Sequence, residues 1–234
     1  MNTSLKERLH RFQIEADVQV SPAAESLRDR TWLAITSSHL GKSCRLHAEV
    51  CRYLSRSMIR ARRSGSVVAV AAGSAIAPWT TRAAKLFSVP LICVHTHRQG
   101  TQQPARTQDA RVDVQVSDSG DRDLIIAALG DRVDCVYARA RGKVEASLHI
   151  RLRNQHDATV RVAVLNRSVD RKSQDVARRL MDLGAVGWYC PMTLGTAGPQ
   201  GEKSQDVRPS IRGIASNDWT STEGEWLVHC TRQC

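Results

Sequence analysis

Gly41, Lys42 and Ser43 stand together between a short apolar segment and a long helical pattern. At a helix N-terminus the backbone N–H groups point outwards and attract anions, and a neighbouring lysine adds a positive charge. Ser38 lies in the same turn and offers a hydroxyl group. These residue types predict a loop that either caps the helix or binds a phosphate through its N–H groups and Lys42.

The eight residues from Thr36 to Ser43 also resemble the phosphate-binding loop of P-loop NTPases. In that family the backbone surrounds the phosphates, the lysine contacts the terminal phosphates and the serine hydroxyl binds Mg²⁺. Thr36 stands where the family has its first glycine, and no later apolar segment ends in the aspartate that completes the magnesium site. We therefore rank a degenerate P-loop NTPase third, after the binding of a small phosphorylated ligand and the binding of nucleic acid.

Two further turns connect a predicted strand to a predicted helix. One contains Gly73 and Ser74, and the other is the basic stretch from Arg139 to Lys143. Because the carboxyl ends of parallel strands meet at one edge of a sheet, these turns are expected to share a crevice that suits a nucleotide or a sugar phosphate. The alternative is that the glycines only end strands and the arginines only face solvent. The predicted ligand-binding residues are Ser38, Gly41, Lys42, Ser43, Gly73, Ser74, His95, Arg139, Arg141, Gly142 and Lys143.

His95 is included because it ends another predicted strand, with His97 on the same face, where a base or a metal could sit. No carboxylate lies close in sequence, so no metal site is predicted. No Ser/His/Asp order or nucleophile elbow assigns a catalytic residue, and no cofactor is indicated. Whether the protein is an enzyme, and in which oligomeric state it exists, stays open.

The elements that must position these turns alternate between strand and helix. Apolar strands are predicted at 32–36, 67–72, 89–95, 133–137 and 160–165, an alternating strand is predicted at 112–116, and helices lie between most of them. Successive βαβ units with right-handed crossovers build a mostly parallel sheet with helices on both faces. The predicted fold class is therefore α/β and Rossmann-like. The predicted organisation is a helical lead-in at 1–30, the α/β domain at 31–190, and an irregular segment at 191–234 with a candidate final strand.

The order of these elements resembles the SLOG-type Rossmann superfamily over about residues 31–166. The resemblance rests on the apolar strand before Gly73 and Ser74, the strand after Val89, and the later strand with its glycine loop and helical Glu145. That superfamily includes DNA-processing proteins and the lysine-decarboxylase-like nucleotide phosphoribohydrolases, so the resemblance implies ligand binding by the same fold. Only Gly142 and Glu145 stand near the superfamily's Gly-Gly-x-Gly-Thr-x-x-Glu loop, and the catalytic motif is not matched.

The formal net charge of the 234-residue chain is +11. Within the helix predicted at 43–63, Arg52, Arg56 and Arg60 recur one turn apart. Such a charge favours an anionic partner, because clustered arginines release counterions from phosphate backbones. The first functional interpretation is thus a protein that binds a nucleotide or other phosphorylated small molecule, and the second is a nucleic-acid-associated basic protein.

The cysteine content and the hydropathy of the sequence indicate where in the cell the protein is expected. The seven cysteines form no CxxC pair, which is typical of reduced thiols. The first residues carry several charges and no apolar segment of a signal peptide, and the chain contains no run of about 18 apolar residues. We therefore expect a cytoplasmic protein without a membrane partner.

Overall fold

The computed structural model describes residues 4–98, 110–116, 121–154, 159–166 and 169–189. These residues form one eight-stranded sheet with helices on both faces. In chain order the elements are α1 (Leu5–His10), β1 (Ala16–Val20), α2 (Pro22–Glu25), β2 (Trp32–Ser37), α3 (Cys44–Arg63), β3 (Val67–Ala71), α4 (Ala77–Leu86), β4 (Leu91–Arg98), β5 (Arg111–Val116), α5 (Arg122–Leu129), β6 (Arg132–Tyr137), α6 (Lys143–Asn154), β7 (Thr159–Ala163), α7 (Arg171–Asp182) and β8 (Val186–Trp188).

The strand order is β1-β5-β4-β3-β2-β6-β7-β8. All neighbours are parallel except β1, which runs antiparallel to β5. From β2 the chain moves outwards through β3 and β4 to β5, then returns to β6 beside β2 and moves outwards in the other direction. The predicted α/β, Rossmann-like fold is confirmed, and its topological switch point lies between β2 and β6.

Two apolar clusters cover the two faces of the sheet. On one face, called here the α3 face, α3 and α4 cover Leu33 and Ile35 of β2. On the opposite face, the α5 face, α1, α5, α6 and α7 contribute the buried side chains. Every residue of β2 and β3 is buried, as the continuous apolar runs predict for strands covered on both sides.

The segment before residue 31 differs from the predicted helical lead-in, because it also contributes an edge strand. β1 shows the alternating exposure of a strand with one covered face, and it pairs with β5 from Ala16↔Val116 to Val20↔Val112. The alternation of apolar and polar residues at 16–20 is the sequence signal for this strand. β4 is also longer than predicted and continues to Arg98, because β5 extends the pairing beyond His95.

The predicted irregular segment at 191–234, with its candidate strand from Trp226 to Cys230, lies outside the described residues. Among the helices that the structure describes, none is long and apolar enough to cross a membrane.

A buried ion pair links β6 and β7 on the α3 face. Arg161 of β7 donates from Nε to Oδ1 of Asp134 on β6, at 2.8 Å. The hydroxyl of Ser57 on α3 donates to Oδ2 of the same carboxylate, at 2.7 Å. Asp134 is fully buried and Arg161 is 9% exposed. A charge in such a place is tolerated only with its partner.

Replacing Asp134 by Ala is therefore expected to lower the free energy of unfolding by about 3 to 5 kcal/mol, because it leaves a buried guanidinium without its carboxylate. Chemical denaturation followed by circular dichroism measures this value. The matched control is Asp17→Ala, which removes the exposed Lys6–Asp17 pair and is expected to cost less than about 1 kcal/mol. Equal losses in the two variants would contradict the assignment.

Candidate anion-binding site at the carboxyl edge of the sheet

The turn after β2 is fixed by its own hydrogen bonds. Gly41 has a φ of +70° and donates its N–H to Nδ1 of His39, at 3.0 Å. Ser43 is the N-cap of α3, where its hydroxyl accepts the N–H of Leu46 at 3.3 Å. Lys42 is exposed. The turn thus begins the helix and presents a lysine to solvent, while the Ser43 hydroxyl oxygen already has a partner.

The turns after β2 and β6 meet at the switch point. The Ser38 N–H donates to the carbonyl oxygen of Tyr137 at 2.8 Å, and the Ser38 hydroxyl accepts the N–H of Arg139 at 3.0 Å. A Cβ atom at Gly41 would lie 3.6 Å from Nη2 of Arg139, and one at Gly142 would lie 3.7 Å from Oγ of Ser38. The structure therefore brings four of the predicted residues together.

Glu145 of α6 holds the turn after β6 in place. Arg141 has a φ of +59°, in the left-handed region that residues other than glycine seldom adopt. Its N–H donates to Oε2 of Glu145 at 2.5 Å. Oε1 of the same carboxylate accepts Nε and Nη2 of Arg179 on α7, at 2.9 and 2.7 Å. Glu145, 7% exposed, thus fixes the shape of the turn and joins it to α7.

A cavity of about 870 Å³ opens beside this turn. Its volume lies within the range of about 300 to 1,000 Å³ that is usual for small-molecule sites. It is bounded by the end of β6, the turn that follows, the N-terminal part of α6, and one side of α7. The lining residues are Tyr137, Arg139, Ala140, Arg141, Glu145, Asp170, Lys172, Ser173 and Arg179.

The cavity contains more cations than free carboxylates. Four of the lining residues are arginine or lysine and two are acidic. Of the acidic ones, Glu145 is bonded as described, and Asp170 caps α7 by accepting the N–H of Ser173 at 3.1 Å and the hydroxyl of Tyr137 at 2.9 Å. Burial, and then the hydrogen bond to Asp170, raise the pKa of Tyr137, so its hydroxyl stays protonated. The site is therefore suited to an anion.

Lys172 and Arg179 are lining residues that the sequence analysis did not name. Both belong to α7, which follows β7, and the end of β7 lies beside the end of β6 at the same edge. Arg139 and Arg141 were placed at this edge because the carboxyl ends of parallel strands meet there. The same rule applies to the start of the helix that follows β7. That rule was the available signal for Lys172, whereas Arg179 lies two turns along α7 and depends on how the helix packs.

The turn after β3 lies near a different element. Gly73 has a φ of +69°, and a Cβ atom there would lie 3.6 Å from Nη1 of Arg122 at the start of α5. The Ser74 hydroxyl is buried and has no hydrogen-bond partner among the described residues. Burial, and then the charge of Asp121, raise the pKa of Asp123, while Arg122 and Lys143 oppose this. Gly73, Ser74 and Lys143 are therefore placed near the N-terminus of α5 rather than in the wall of the cavity.

His95 lies on β4, opposite Asp113 of β5, and is not among the residues that line the cavity. Its ring is stacked on that of His97, with 6.1 Å between the ring centroids. Burial lowers the pKa of His95, and the positive charge of Arg111 lowers it further. The carboxylate that the sequence did not place beside these histidines is thus supplied by the neighbouring strand.

The comparisons with known proteins concern the fold. No protein-family model matches the sequence, and no curated protein does. Similar solved structures include DNA processing protein A from Streptococcus pneumoniae, with 15% identity and a TM-score of 0.47 over 68% of this chain and 58% of that chain. The molybdenum cofactor binding protein of Rippkaea orientalis has 12% identity and a TM-score of 0.46 over 68% of this chain and 88% of that chain.

A third similar structure is DNA processing protein A from Helicobacter pylori, with 14% identity and a TM-score of 0.43 over 75% of this chain and 92% of that chain. DNA-processing proteins, one of the groups that the sequence resembles, are thus among the similar structures. The chain spans little more than half the length of the pneumococcal protein. These identities and TM-scores do not extend a ligand or an activity to this chain.

Glu145→Ala is expected to release the turn after β6, because the N–H of Arg141 then loses its acceptor and Arg179 its partner. We expect faster amide hydrogen exchange at Arg141, and a loss of about 1 to 3 kcal/mol in unfolding free energy. Exchange measured by NMR tests this, with the exposed Glu15→Ala as a control. Unchanged protection at Arg141 would show that the turn keeps its shape without Glu145.

Proposed function

We propose that the protein binds a nucleotide or another phosphorylated small molecule in the cavity beside the switch point. The observation that carries this proposal is the group of cations around a cavity whose two carboxylates already have hydrogen-bond partners. In open α/β sheets, ligands bind outside the carboxyl ends of the strands, at the point where the strand order reverses. The cavity lies at this edge, next to the β2–β6 pair.

The chemistry of the cavity favours an anion over a neutral ligand, and its several cations suit the charge of a phosphate. Arg139, Arg141 and Lys172 are exposed, so their donors can reach a ligand. A guanidinium presents paired N–H donors that match two phosphate oxygens, and a lysine adds a compact charge. Tyr137 also lines the cavity, but it is 5% exposed and its hydroxyl donates to Asp170. A phosphorylated ligand such as a nucleotide would therefore be held mainly by the arginines and the lysine.

The geometry favours binding over hydrolysis. Ser43 accepts the N–H of Leu46 and Gly41 donates to His39, so two of the groups with which a P-loop holds magnesium and phosphate already have hydrogen-bond partners. Both oxygens of Glu145 accept hydrogen bonds from the protein. We therefore propose a binding protein without assigning a reaction, and its cytoplasmic location stays a prediction.

Arg139→Gln combined with Arg141→Gln is expected to weaken phosphate binding at least about tenfold, because each charge-assisted hydrogen bond contributes about 1.5 to 3 kcal/mol. Isothermal titration and thermal shift measure this with ATP, AMP, ribose 5-phosphate and inorganic phosphate as probes. The control variant combines Arg30→Gln with Arg153→Gln, two exposed arginines that do not line the cavity. Equal affinities of the two double variants and the unchanged protein would refute the proposal.

A second candidate function, binding of nucleic acid, is favoured by a separate groove on the α3 face. This groove of about 480 Å³ lies between α3 and the strands β7 and β8. The guanidinium of Arg161 lies 4.3 Å from the ring centroid of Trp188, and this ring also meets Tyr53 edge-on. The groove is lined by Arg56, Ile59, Arg60, Arg63, Ser64, Arg161 and Trp188.

The groove changes which arginines of α3 carry this candidate function. Arg56 and Arg60 of the predicted stripe line it, and Arg63 joins them. Arg52 instead lies 3.6 Å from Glu49 one turn earlier, and it is not a lining residue. Burial, and then the nearby charge of Arg161, lower the pKa of Arg60, as expected in a positive environment. Several guanidinium groups beside an indole suit a phosphate backbone with stacked bases.

Replacing Arg56, Arg60 and Arg63 together by Gln is expected to make the plot of log affinity against log salt shallower by up to about 2 to 3 units, because fewer counterions are then released. Fluorescence anisotropy with single-stranded and double-stranded oligonucleotides measures the slope. The control replaces Arg30, Arg45 and Arg153, which are exposed outside the groove. A slope that falls equally in both variants would assign binding to the overall charge rather than to the groove.

A further inference from the structure

Two histidines and an aspartate lie together on β4 and β5. His95 is the register partner of Asp113, and His97 follows two residues later on the same face of β4. Nε2 of His97 lies 2.8 Å from Oδ1 of Asp113. The candidate ligand atoms of the three residues all lie within 4.8 Å of one another. Adjacent strands of the sheet therefore present three potential metal ligands in one small volume.

We propose that His95, His97 and Asp113 bind one divalent transition metal ion of the zinc class. Imidazole nitrogen and carboxylate oxygen are ligands of Zn²⁺ and similar ions, with bonds of about 2.0 to 2.2 Å. The ion would take the place of the proton shared by His97 and Asp113. Around a tetrahedral ion, donor atoms with such bonds lie about 3.3 to 3.6 Å apart, so small side-chain rotations must separate the close pair and bring the more distant ligand atoms nearer.

The position of the cluster also suits an ion. The side chains of His97 and Asp113 are 19% and 17% exposed, so an ion can reach them while most of their surface is shielded from water. All three residues are held by backbone pairing between β4 and β5, so the ligands keep their spacing without a bound ion. Three protein ligands leave a position of a tetrahedral ion open, as in zinc sites that bind water or a substrate.

Arg111 is the main competitor of the ion. Its Nε lies 2.8 Å from Oδ2 of Asp113, and its Nη2 contacts Oδ1 of the same carboxylate and lies 3.5 Å from Nε2 of His97. A bound ion would take Oδ1, and the Nη2 contact would give way. The Nε contact to Oδ2 can remain, as carboxylates that bind metals are commonly held by an outer hydrogen bond. The metal ion and the guanidinium of Arg111 thus compete for the same carboxylate oxygen.

The test uses the full chain, stripped of metal with a chelator, and Zn²⁺ and Co²⁺ as probes. Isothermal titration gives stoichiometry and affinity, and the visible absorption of Co²⁺ reports nitrogen and oxygen coordination. We expect one equivalent to bind. His95→Gln and His97→Gln should each weaken binding by about 100-fold or more, since loss of an outer partner alone costs about 10- to 100-fold. His10→Gln, at an exposed histidine of α1, is the control.

Arg111→Gln tests the competition directly. Removing the guanidinium should strengthen Zn²⁺ binding, whereas a cluster that serves only as an ion pair would gain no metal affinity. Absence of binding to the unchanged protein, or equal affinity in the His95, His97 and His10 variants, would overturn the proposal. Circular dichroism identifies any variant that fails to fold, and His95→Gln leaves the Arg111–Asp113 pair intact. None of these residues lines the anion cavity, so either proposal can fail without the other.

Discussion

Parallel pairing of β2 with β6 is the constraint on which the candidate site depends. The chain leaves these two neighbouring strands in opposite directions, so α3 and α6 pack on opposite faces of the sheet. The pairing is irregular at its end, where Thr36 is opposite Cys135 but Ser37 is opposite Tyr137. This bulge brings Ser38 to the N–H of Arg139 and so joins the two turns. Arg139 also lines the cavity, so this contact connects the β2 turn to the cavity wall.

The central part of the fold could be predicted because the pattern of apolar residues in the sequence shows which strands are buried. β2 and β3 are continuous apolar runs, and Gly65 ends α3 in the left-handed conformation that glycine favours. β1 was missed because its alternation of apolar and polar residues covers only five positions beside a stronger turn signal at Ser21 and Pro22. A short edge strand is specified by its partner as much as by its own residues.

The candidate site was predictable only in its local part. Arg139, Arg141 and Gly142 follow directly from a strand end and a helix start. The position of Arg179 at the cavity, and that of Asp113 beside the histidines, depend instead on which elements become neighbours when the chain packs. The same reasoning explains why His95, which lies within β4 rather than at its end, belongs with β5 rather than with the switch point. Spacing along the chain identifies turns, whereas strand order decides which of them meet.

Part of the positive charge of the chain lies on buried arginines that bond to other groups of the protein. Arg151 is buried and donates to the carbonyl oxygen of Gly130 at 2.8 Å, and burial lowers its pKa to about 10. Arg161 and Arg111 are also buried and pair with carboxylates. The net charge is therefore a poor measure of affinity for phosphate. The part of this charge that bears on phosphate binding is carried by the exposed arginines at the sheet edge and along α3.

The antiparallel strand β1 has a consequence for the order in which the protein can fold during synthesis. Ala16 leaves the ribosome early, but its partner Val116 is made only after β2, β3 and β4 are complete. The first strand in the chain therefore cannot pair in the sheet until β5 has been made. Until then Val18 and Val20 stay uncovered beside the growing edge, where a chaperone or a neighbouring nascent chain could meet them.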